Sequence, residues 1–273
     1  GGGGGLPVGG RSIGLVTIIM ALAAWYFFGV DPTAILNQGV VEAPTQAPPQ
    51  QQSGAAGGAD DEMGRFVSVV RGDTEDTWKT LFRLAGKEYR EPRLVLYSGA
   101  TRSACGVGQA AMGPFYCPAD EKVYLDLAFF RELQQRFRAP GDFAQAYVIA
   151  HEIGHHVQHQ LGISEKVEAA QRRGGQAQAN ALSIRLELQA DCLAGVWAHH
   201  ANQARNILEQ GDIEEALTAA AAIGDDRLQK QAQGYAVPDS FTHGSSEQRV
   251  RWFRRGIQSG SFRECDTFSS RQL

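Results

Sequence analysis

The chain has 273 residues, a formal net charge of −4 and a hydrophobic fraction of 43%. It has no basic domain and no recognisable nucleic-acid-reading motif, which argues against a protein that binds nucleic acid. The hydrophobic fraction supports a packed core, and residues 65–273 have the length of a single domain.

The N-terminal part is predicted to anchor the chain in a membrane. Residues 1–11 are rich in glycine, and we expect them to be disordered. Residues 12–30 form a stretch of 19 residues without a charge, with Trp25 and Tyr26 near one end. This is long enough for a transmembrane helix, and the two aromatic residues suit an interfacial position. The alternative is a cleaved signal peptide, whose apolar core would be shorter.

A flexible linker is predicted for residues 31–64, which are rich in Gln, Pro, Ala and Gly from residue 39 onward. Arg11 precedes the predicted span, whereas no Lys or Arg follows it before Arg65. The positive-inside rule then places the domain at residues 65–273 on the extracytoplasmic side of the membrane. The lipid bilayer is therefore a predicted partner of the chain.

The first part of this domain is predicted to combine helices with short strands. Residues 75–89 have the apolar spacing of a helix, and residues 129–137 that of a shorter one. Residues 93–97 and 122–127 alternate as strands do. We therefore expect an α+β domain with a small sheet.

Four cysteines occur, and their even number is typical of a protein in an oxidising compartment. Three disulfide connectivities are possible in principle. Cys105 and Cys117 flank a glycine-rich segment that a hairpin or tight loop would fold back, which favours pairing them. Cys192 and Cys265 would then form the second bridge. The alternative is that the cysteines are buried free thiols.

A metal-binding motif follows at residues 151–155, which read H-E-x-x-H. Residues 143–150 contain no proline or glycine, which favours a helix here, with Asp142 available as its N-cap. Two histidines four apart on a helix project from one face, so His151 and His155 can bind one metal ion. Glu152 can reach a water on that ion, as in zinc hydrolases. The alternative is a helix with surface histidines.

A third ligand is needed, because a catalytic zinc ion usually has three protein ligands and a water. One class of zinc hydrolases has a third histidine ten positions after the first, and Leu161 at that position excludes this class. His156 lies about 100° around the helix from His155, and His159 lies too far along the helix axis. We expect both to be surface residues or supports of the ligands.

Glu187 and Asp191 lie four apart in a second predicted helix, residues 181–200, with mostly apolar neighbours. Two carboxylates on one face of an apolar helix repel each other unless a cation or a hydrogen-bond donor lies near them. We predict that Glu187 is the third zinc ligand and that Asp191 accepts the N–H of a ligating histidine. A solvated acidic edge is the alternative.

The motif followed by Glu187 and Asp191 resembles the gluzincins, whose third zinc ligand is a glutamate on the next helix. The chain is more closely similar to the bacterial neutral zinc metallopeptidase family. The resemblance lies in residues 104–106, 113–118, 123–126, 151–155 and 187–197, and in the glycine-rich start and membrane helix. It implies a mostly helical zincin-like α+β domain on the periplasmic side of the bacterial inner membrane. It also implies that the substrate adds as a strand at residues 113–117 or 123–127.

Residues 240–250 resemble a His-Pro-…-Arg segment of some membrane zinc endopeptidases, although Gly244 replaces the proline. The resemblance implies that His243 stabilises the oxyanion and that Arg249 braces Asp191. The alternative is a loop histidine and a surface arginine. Helices are also predicted at residues 213–222 and 247–257, and we expect the aromatic side chains near them to lie in the core: Trp197, Trp252 and Phe253.

We predict a membrane-anchored, zinc-dependent peptidase with one catalytic Zn²⁺ and a peptide or protein as substrate. A rival from another class is a non-catalytic, zinc-stabilised envelope scaffold, which would need the three ligands but not Glu152. A second rival is an amide hydrolase that acts on non-peptide substrates through the same zinc site.

Overall fold

The computed structural model describes residues 59–109 and 113–273 of the chain. It has the predicted α+β character, with a small sheet between one long N-terminal helix and a mostly helical remainder. The strands are β1 Arg93–Tyr97, β2 Ala100–Ser103, β3 Gly106–Gln109, β4 Phe115–Cys117 and β5 Lys122–Asp126. The helices are α1 Ala59–Leu84, α2 Leu127–Gln135, α3 Asp142–Gln160, α4 Ile163–Gln171, α5 Gln176–Arg205, α6 Asp212–Ala222, α7 Asp225–Gln233 and α8 Ser246–Ser259.

The main sheet has the strand order β1-β5-β4. Strand β5 is central, parallel to β1 and antiparallel to β4. Its apolar residues Val123, Tyr124 and Leu125 are buried, which explains why this strand lies inside and β4 lies at an edge. Strands β2 and β3 form a separate antiparallel hairpin.

The core lies where α3, α5 and α8 pack together. Gly256 of α8 lets that helix approach α5 closely, because a Cβ there would lie 2.0 Å from the carbonyl oxygen of Cys192. The predicted core aromatics are buried: Trp197, Trp252 and Phe253. The ring of Trp197 stacks on Phe143 of α3 with centroids 5.8 Å apart. These contacts fix the two helices that carry the H-E-x-x-H motif and its predicted carboxylate partner.

The structure contains both of the disulfides that the spacing favoured. The first, Cys105–Cys117, ties the β2–β3 hairpin to β4. The second, Cys192–Cys265, ties α5 to the C-terminal segment. Since all four cysteines are paired, the alternative of buried free thiols is wrong.

The N-terminal predictions fall largely outside the described residues, namely the glycine-rich segment 1–11, the membrane span 12–30 and most of the linker 31–64. In the described part, no helix is long and apolar enough to cross a membrane. The linker prediction is wrong for residues 59–64, which belong to α1. The helical spacing of apolar residues continues upstream into this region. At its other end the helix stops at Leu84, earlier than predicted, because Gly86 follows with a φ of 68°.

Several shorter elements escaped prediction, namely β2, β3, α4 and α7, whereas β4 lies within the candidate edge at residues 113–117. Strands of four residues are too short to show a period, and the missed helices α4 and α7 have few large apolar residues. Asp142 was predicted as the N-cap of α3, but Gly141 takes that position, with a φ of 113°. Asp142 instead lies in the first turn, where a carboxylate favours the helix N-terminus.

Candidate metal centre

The structure brings together the three side chains predicted to bind a metal ion. His151 and His155 project from α3, and Glu187 projects toward them from α5. The two imidazole Nε2 atoms lie 3.2 Å apart. Glu187 Oε2 lies 3.2 Å from His151 Nε2, and Oε1 lies 3.4 Å from His155 Nε2. Each Nε2 atom is thus close to a different oxygen of Glu187, and the two Nε2 atoms form with one of these oxygens a triangle whose sides are at most 4.8 Å long.

The size of this triangle suits a zinc ion. With zinc–nitrogen and zinc–oxygen bonds of about 2.0–2.2 Å, the edges of a tetrahedral site measure about 3.3–3.5 Å. The two Nε2 atoms are separated by about that length, and so is each Nε2 from its nearest Glu187 oxygen, to within about 0.2 Å. Two imidazoles and one carboxylate are also a usual donor set for catalytic zinc. The residues therefore fit the ion, and a fourth position faces the cleft.

Asp191 lies beneath the first imidazole, where the sequence placed it. Its Oδ1 atom lies 2.8 Å from His151 Nδ1, so it accepts the N–H of that ring and leaves Nε2 with a free lone pair. Arg249 binds the same carboxylate with two hydrogen bonds of 2.9 Å, from Nε and Nη2. The structure thus brings Arg249 and Asp191 into the contact that the predicted bracing role requires.

Tyr147 also belongs to this cluster and was not predicted from the sequence. Its hydroxyl donates to Asp191 Oδ1 at 2.5 Å. The residue lies four positions before His151, so both side chains project from the same face of α3. The four-residue spacing from His151 could have identified Tyr147, but its apolar neighbours make it resemble an ordinary core residue.

The charges of the cluster favour a bound cation. Burial raises the pKa of Asp191, but Arg249 and His151 together lower it below its usual value. Burial also raises the pKa of Glu187, whereas His155 and His151 hold it well below its usual value. Burial lowers the pKa of His151, yet Asp191 and Glu187 raise it to about 10. Both carboxylates therefore stay ionised, and their field stabilises positive charge at His151.

Glu152 lies beside this triangle but is separate from it. Its side chain is buried and lines the same cleft as His151 and His155. Among the described residues, no hydrogen-bond donor to its carboxylate is found. Burial raises its pKa, which makes the carboxylate a stronger base than an exposed glutamate. It is thus free to take a proton from a group in the cleft.

The cleft holds about 440 Å³ and reaches from β4 to the segment before α8. Residues Pro114–Tyr116 form one side, and His243 lies on the other. The ring of His243 is held by Asp225, whose Oδ1 lies 3.1 Å from His243 Nδ1. The other oxygen of Asp225 accepts the backbone N–H groups of Thr242, His243 and Gly244.

The two remaining histidines of α3 do not support the metal ligands. His156 was expected at the surface or next to a ligand, but it is fully buried. Its Nδ1 atom lies 3.0 Å from the hydroxyl of Tyr116, and its Nε2 lies 2.6 Å from the carbonyl oxygen of Arg90. His159 lies between Glu165 of α4, with Nδ1 2.8 Å from Oε1, and Glu121, with Nε2 3.7 Å from Oε1. His156 therefore connects α3 to β4 and to the segment before β1, and His159 connects it to α4 and to the turn before β5.

Asp191→Ala is expected to weaken zinc binding by about 10–100-fold, because His151 loses the group that fixes its tautomer. It also leaves the buried Arg249 without a partner, which we expect to lower the free energy of unfolding by about 3–5 kcal/mol. Zinc retention under mild chelation and urea unfolding measure the two effects. Asp191→Asn is the milder control, since its side-chain oxygen still accepts the His151 N–H. Unchanged metal content in the alanine variant would contradict this role.

Comparison with known proteins places these residues in a wider group. The model of a family described as "Putative neutral zinc metallopeptidase" matches residues 1–268. The chain is 52% identical over 255 residues to "Uncharacterized protein YpfJ" of Escherichia coli K12, covering 93% of this chain and 86% of that protein. It is 42% identical over 260 residues to "Uncharacterized protein Rv2575" of Mycobacterium tuberculosis H37Rv, covering 90% and 85%. No solved structure matches the chain.

Proposed function

This chain belongs to the neutral zinc metallopeptidase family, and we propose that it hydrolyses peptide bonds as a zinc-dependent endopeptidase with a zincin-like active site. One observation carries the proposal. His151, His155 and Glu187 present three ligand atoms within 4.8 Å of one another, with a free carboxylate beside them on the wall of an open cleft. A site that only stabilised the fold would need the triangle but not the carboxylate.

The proposed roles divide the chemistry between the ligands and Glu152. His151, His155 and Glu187 would hold the ion, which supplies Lewis acidity toward water and the peptide carbonyl. Glu152 would take a proton from the attacking water and pass it to the leaving amine. Its burial supports this role, since a raised pKa brings a carboxylate closer to the range in which a general base works at neutral pH.

His243 is proposed to donate a hydrogen bond to the oxyanion of the tetrahedral intermediate. Asp225 accepts from Nδ1, so Nε2 is the nitrogen left to interact with a group in the cleft. The hydrogen bond that His243 donates to Asp225 raises the pKa of His243, with a further contribution from Glu187. The protonated ring has an N–H at Nε2 and can act as a donor.

Asp225→Asn is expected to move the alkaline limb of the pH–activity profile to lower pH. The active ring is protonated, so activity falls as the pH rises through the pKa of His243, and removal of the Asp225 charge lowers that pKa. The pH dependence of kcat/KM measures the shift. Asp226→Asn is the matched control, because the neighbouring carboxylate bonds Ser246 rather than His243. An alkaline limb that stays in place would contradict the role of His243.

Strand β4 is proposed to bind the substrate backbone. The sequence left two candidate edges, residues 113–117 and 123–127. Strand β5 lies between β1 and β4 and therefore has no free edge. Strand β4 is an edge strand whose residues Phe115 and Tyr116 line the cleft. An extended peptide could pair with it and pass the candidate metal centre.

The site of action is proposed to be the periplasm or the cell exterior, with residues 12–30 as a bilayer anchor. The two disulfides support this proposal, because such bonds persist in oxidising compartments and are rare in the cytosol. The charge-free stretch at residues 12–30 supports the anchor through its length, which is enough to span a bilayer.

A digest of a broad peptide library, with and without a chelator, combined with metal analysis of the protein, tests the proposed function. We expect about one zinc ion per chain, cleavage within peptides, and loss of cleavage on chelation that added zinc restores. A protein that binds zinc and cleaves no peptide would support the scaffold alternative. Cleavage limited to non-peptide amides would support the second rival.

A further inference from the structure

The second zinc-binding imidazole is oriented by different chemistry from the first. His151 donates to a carboxylate, whereas His155 Nδ1 lies 2.9 Å from the side-chain oxygen of Gln158, one turn further along α3. Gln158 is completely buried. It is therefore an amide that the proposed mechanism does not use, in direct contact with a ligand.

The direction of the His155–Gln158 bond follows from the other end of the amide. Gln158 Nε2 donates to the carbonyl oxygen of Leu186 at 2.7 Å, in the residue that precedes the third ligand. A backbone carbonyl only accepts hydrogen bonds, so the amide nitrogen must face it and Oε1 must face the ring. His155 therefore donates its Nδ1–H, and its Nε2 keeps the lone pair that a metal ion needs.

Gln189 fixes the same polarity from a second direction. Its Nε2 donates to the carbonyl oxygen of Cys265 at 2.9 Å, and its Oε1 accepts from Gln158 Nε2 at 3.1 Å. If either amide were turned around, nitrogen would face nitrogen or oxygen would face a carbonyl oxygen. Two backbone carbonyls, those of Leu186 and Cys265, thus determine the orientation of both side chains.

The Cys265 carbonyl belongs to a C-terminal segment that is firmly held on α5. The disulfide to Cys192 fixes it at a completely buried position. Thr267 donates through Oγ1 to the carbonyl of Arg185 at 2.6 Å, and the Arg185 side chain binds the carbonyl of Ser270 at 3.1 Å. The acceptor at the end of the amide chain is therefore a fixed point of the fold.

We infer that Gln158 and Gln189 are positioning residues that fix the tautomer and orientation of His155 for metal binding, and that they link this ligand to the segment held by the Cys192–Cys265 disulfide. This inference rests on the proposed function only for the identity of the metal ligands. A role in packing alone would not require the donors and acceptors to alternate from one backbone carbonyl to the ring.

Methionine substitutions test the inference, because methionine keeps the length of glutamine and removes its hydrogen bonds. The variants are Gln158→Met and Gln189→Met. Gln145→Met is the matched control, since Gln145 is a buried glutamine on the same helix as Gln158 and has no part in these bonds. Zinc affinity is measured on the full chain by competition with a chelator. The visible absorption of the Co²⁺-substituted proteins reports the ligand geometry, and far-UV circular dichroism checks that each variant is folded.

We expect Gln158→Met to lower zinc affinity by about 10–100-fold and to change the Co²⁺ spectrum, as loss of a ligand's hydrogen-bond partner does. Gln189→Met should show a smaller change in the same direction, because Gln158 keeps its bond to Leu186. If Gln158→Met does not fold, Gln189→Met decides the question.

Gln158→Met with the zinc affinity and Co²⁺ spectrum of the Gln145→Met control would overturn the positioning role. A weakened Gln158→Met beside an unchanged Gln189→Met would overturn the link to the C-terminal segment. A wild-type protein that binds zinc but cleaves no peptide would contradict the proposed function and leave this test intact.

Discussion

We expect the Glu152→Gln variant to lose about 10²–10⁴-fold in kcat while it still binds one zinc ion per chain. The substitution keeps the size and polarity of the side chain and removes its ability to take a proton. Glu152 is not one of the three residues that form the triangle, so the metal ligands should be unaffected. Steady-state cleavage of a peptide found in the library digest, together with zinc analysis of the same sample, measures both quantities.

The matched control for this variant is Glu214→Gln, the same chemical change at an exposed position on α6. It should leave both kcat and zinc content unchanged. A Glu152→Gln variant that cleaves peptide as fast as the wild type would remove Glu152 from the mechanism. A variant that loses zinc as well as activity would show instead that the residue supports the metal site.

Glu187→Ala is expected to lower zinc affinity by about 10²-fold or more and to abolish peptide cleavage at low zinc concentration. A structural zinc site with four protein ligands has a binding free energy of about 10–16 kcal/mol, or about 3 kcal/mol for each ligand. Loss of one ligand should therefore cost about that much. The effect should exceed that of Asp191→Ala, because it removes a ligand rather than the partner of one. Competition with a chelator of known affinity measures the change.

Glu168→Ala is the control for this second experiment. Glu168 lies in the same cleft but outside the triangle, and it pairs with Arg172 at the surface. Its removal should leave zinc affinity unchanged. Equal losses of zinc affinity in the two variants would show that the general negative charge of the cleft retains the ion. The assignment of Glu187 as a ligand would then be wrong.

The sequence pattern was sufficient to predict those residues of the site whose positions depend on a single helix. His151, Glu152 and His155 follow from the spacing of side chains on a helix, since residues four apart always share a face. Glu187 and Asp191 were detectable because two carboxylates lie in an apolar stretch. Tyr147 obeys the same spacing and could have been found in the same way.

Other features were decided by contacts between distant segments. Whether β4 or β5 offers a free edge depends on strand order, which short strands do not reveal. The position of His243 in the cleft depends on Asp225, eighteen residues earlier in the chain.

The tautomer of His155 shows most clearly where prediction from the sequence ends. The residue type and its spacing from His151 establish that an imidazole lies at this position on the helix face. Which of its nitrogens carries the proton depends on Gln158, then on Gln189, and finally on the backbone carbonyls of Leu186 and Cys265. A carbonyl group is present at every residue and leaves no mark on the sequence, so only the tertiary structure could select these two as the acceptors.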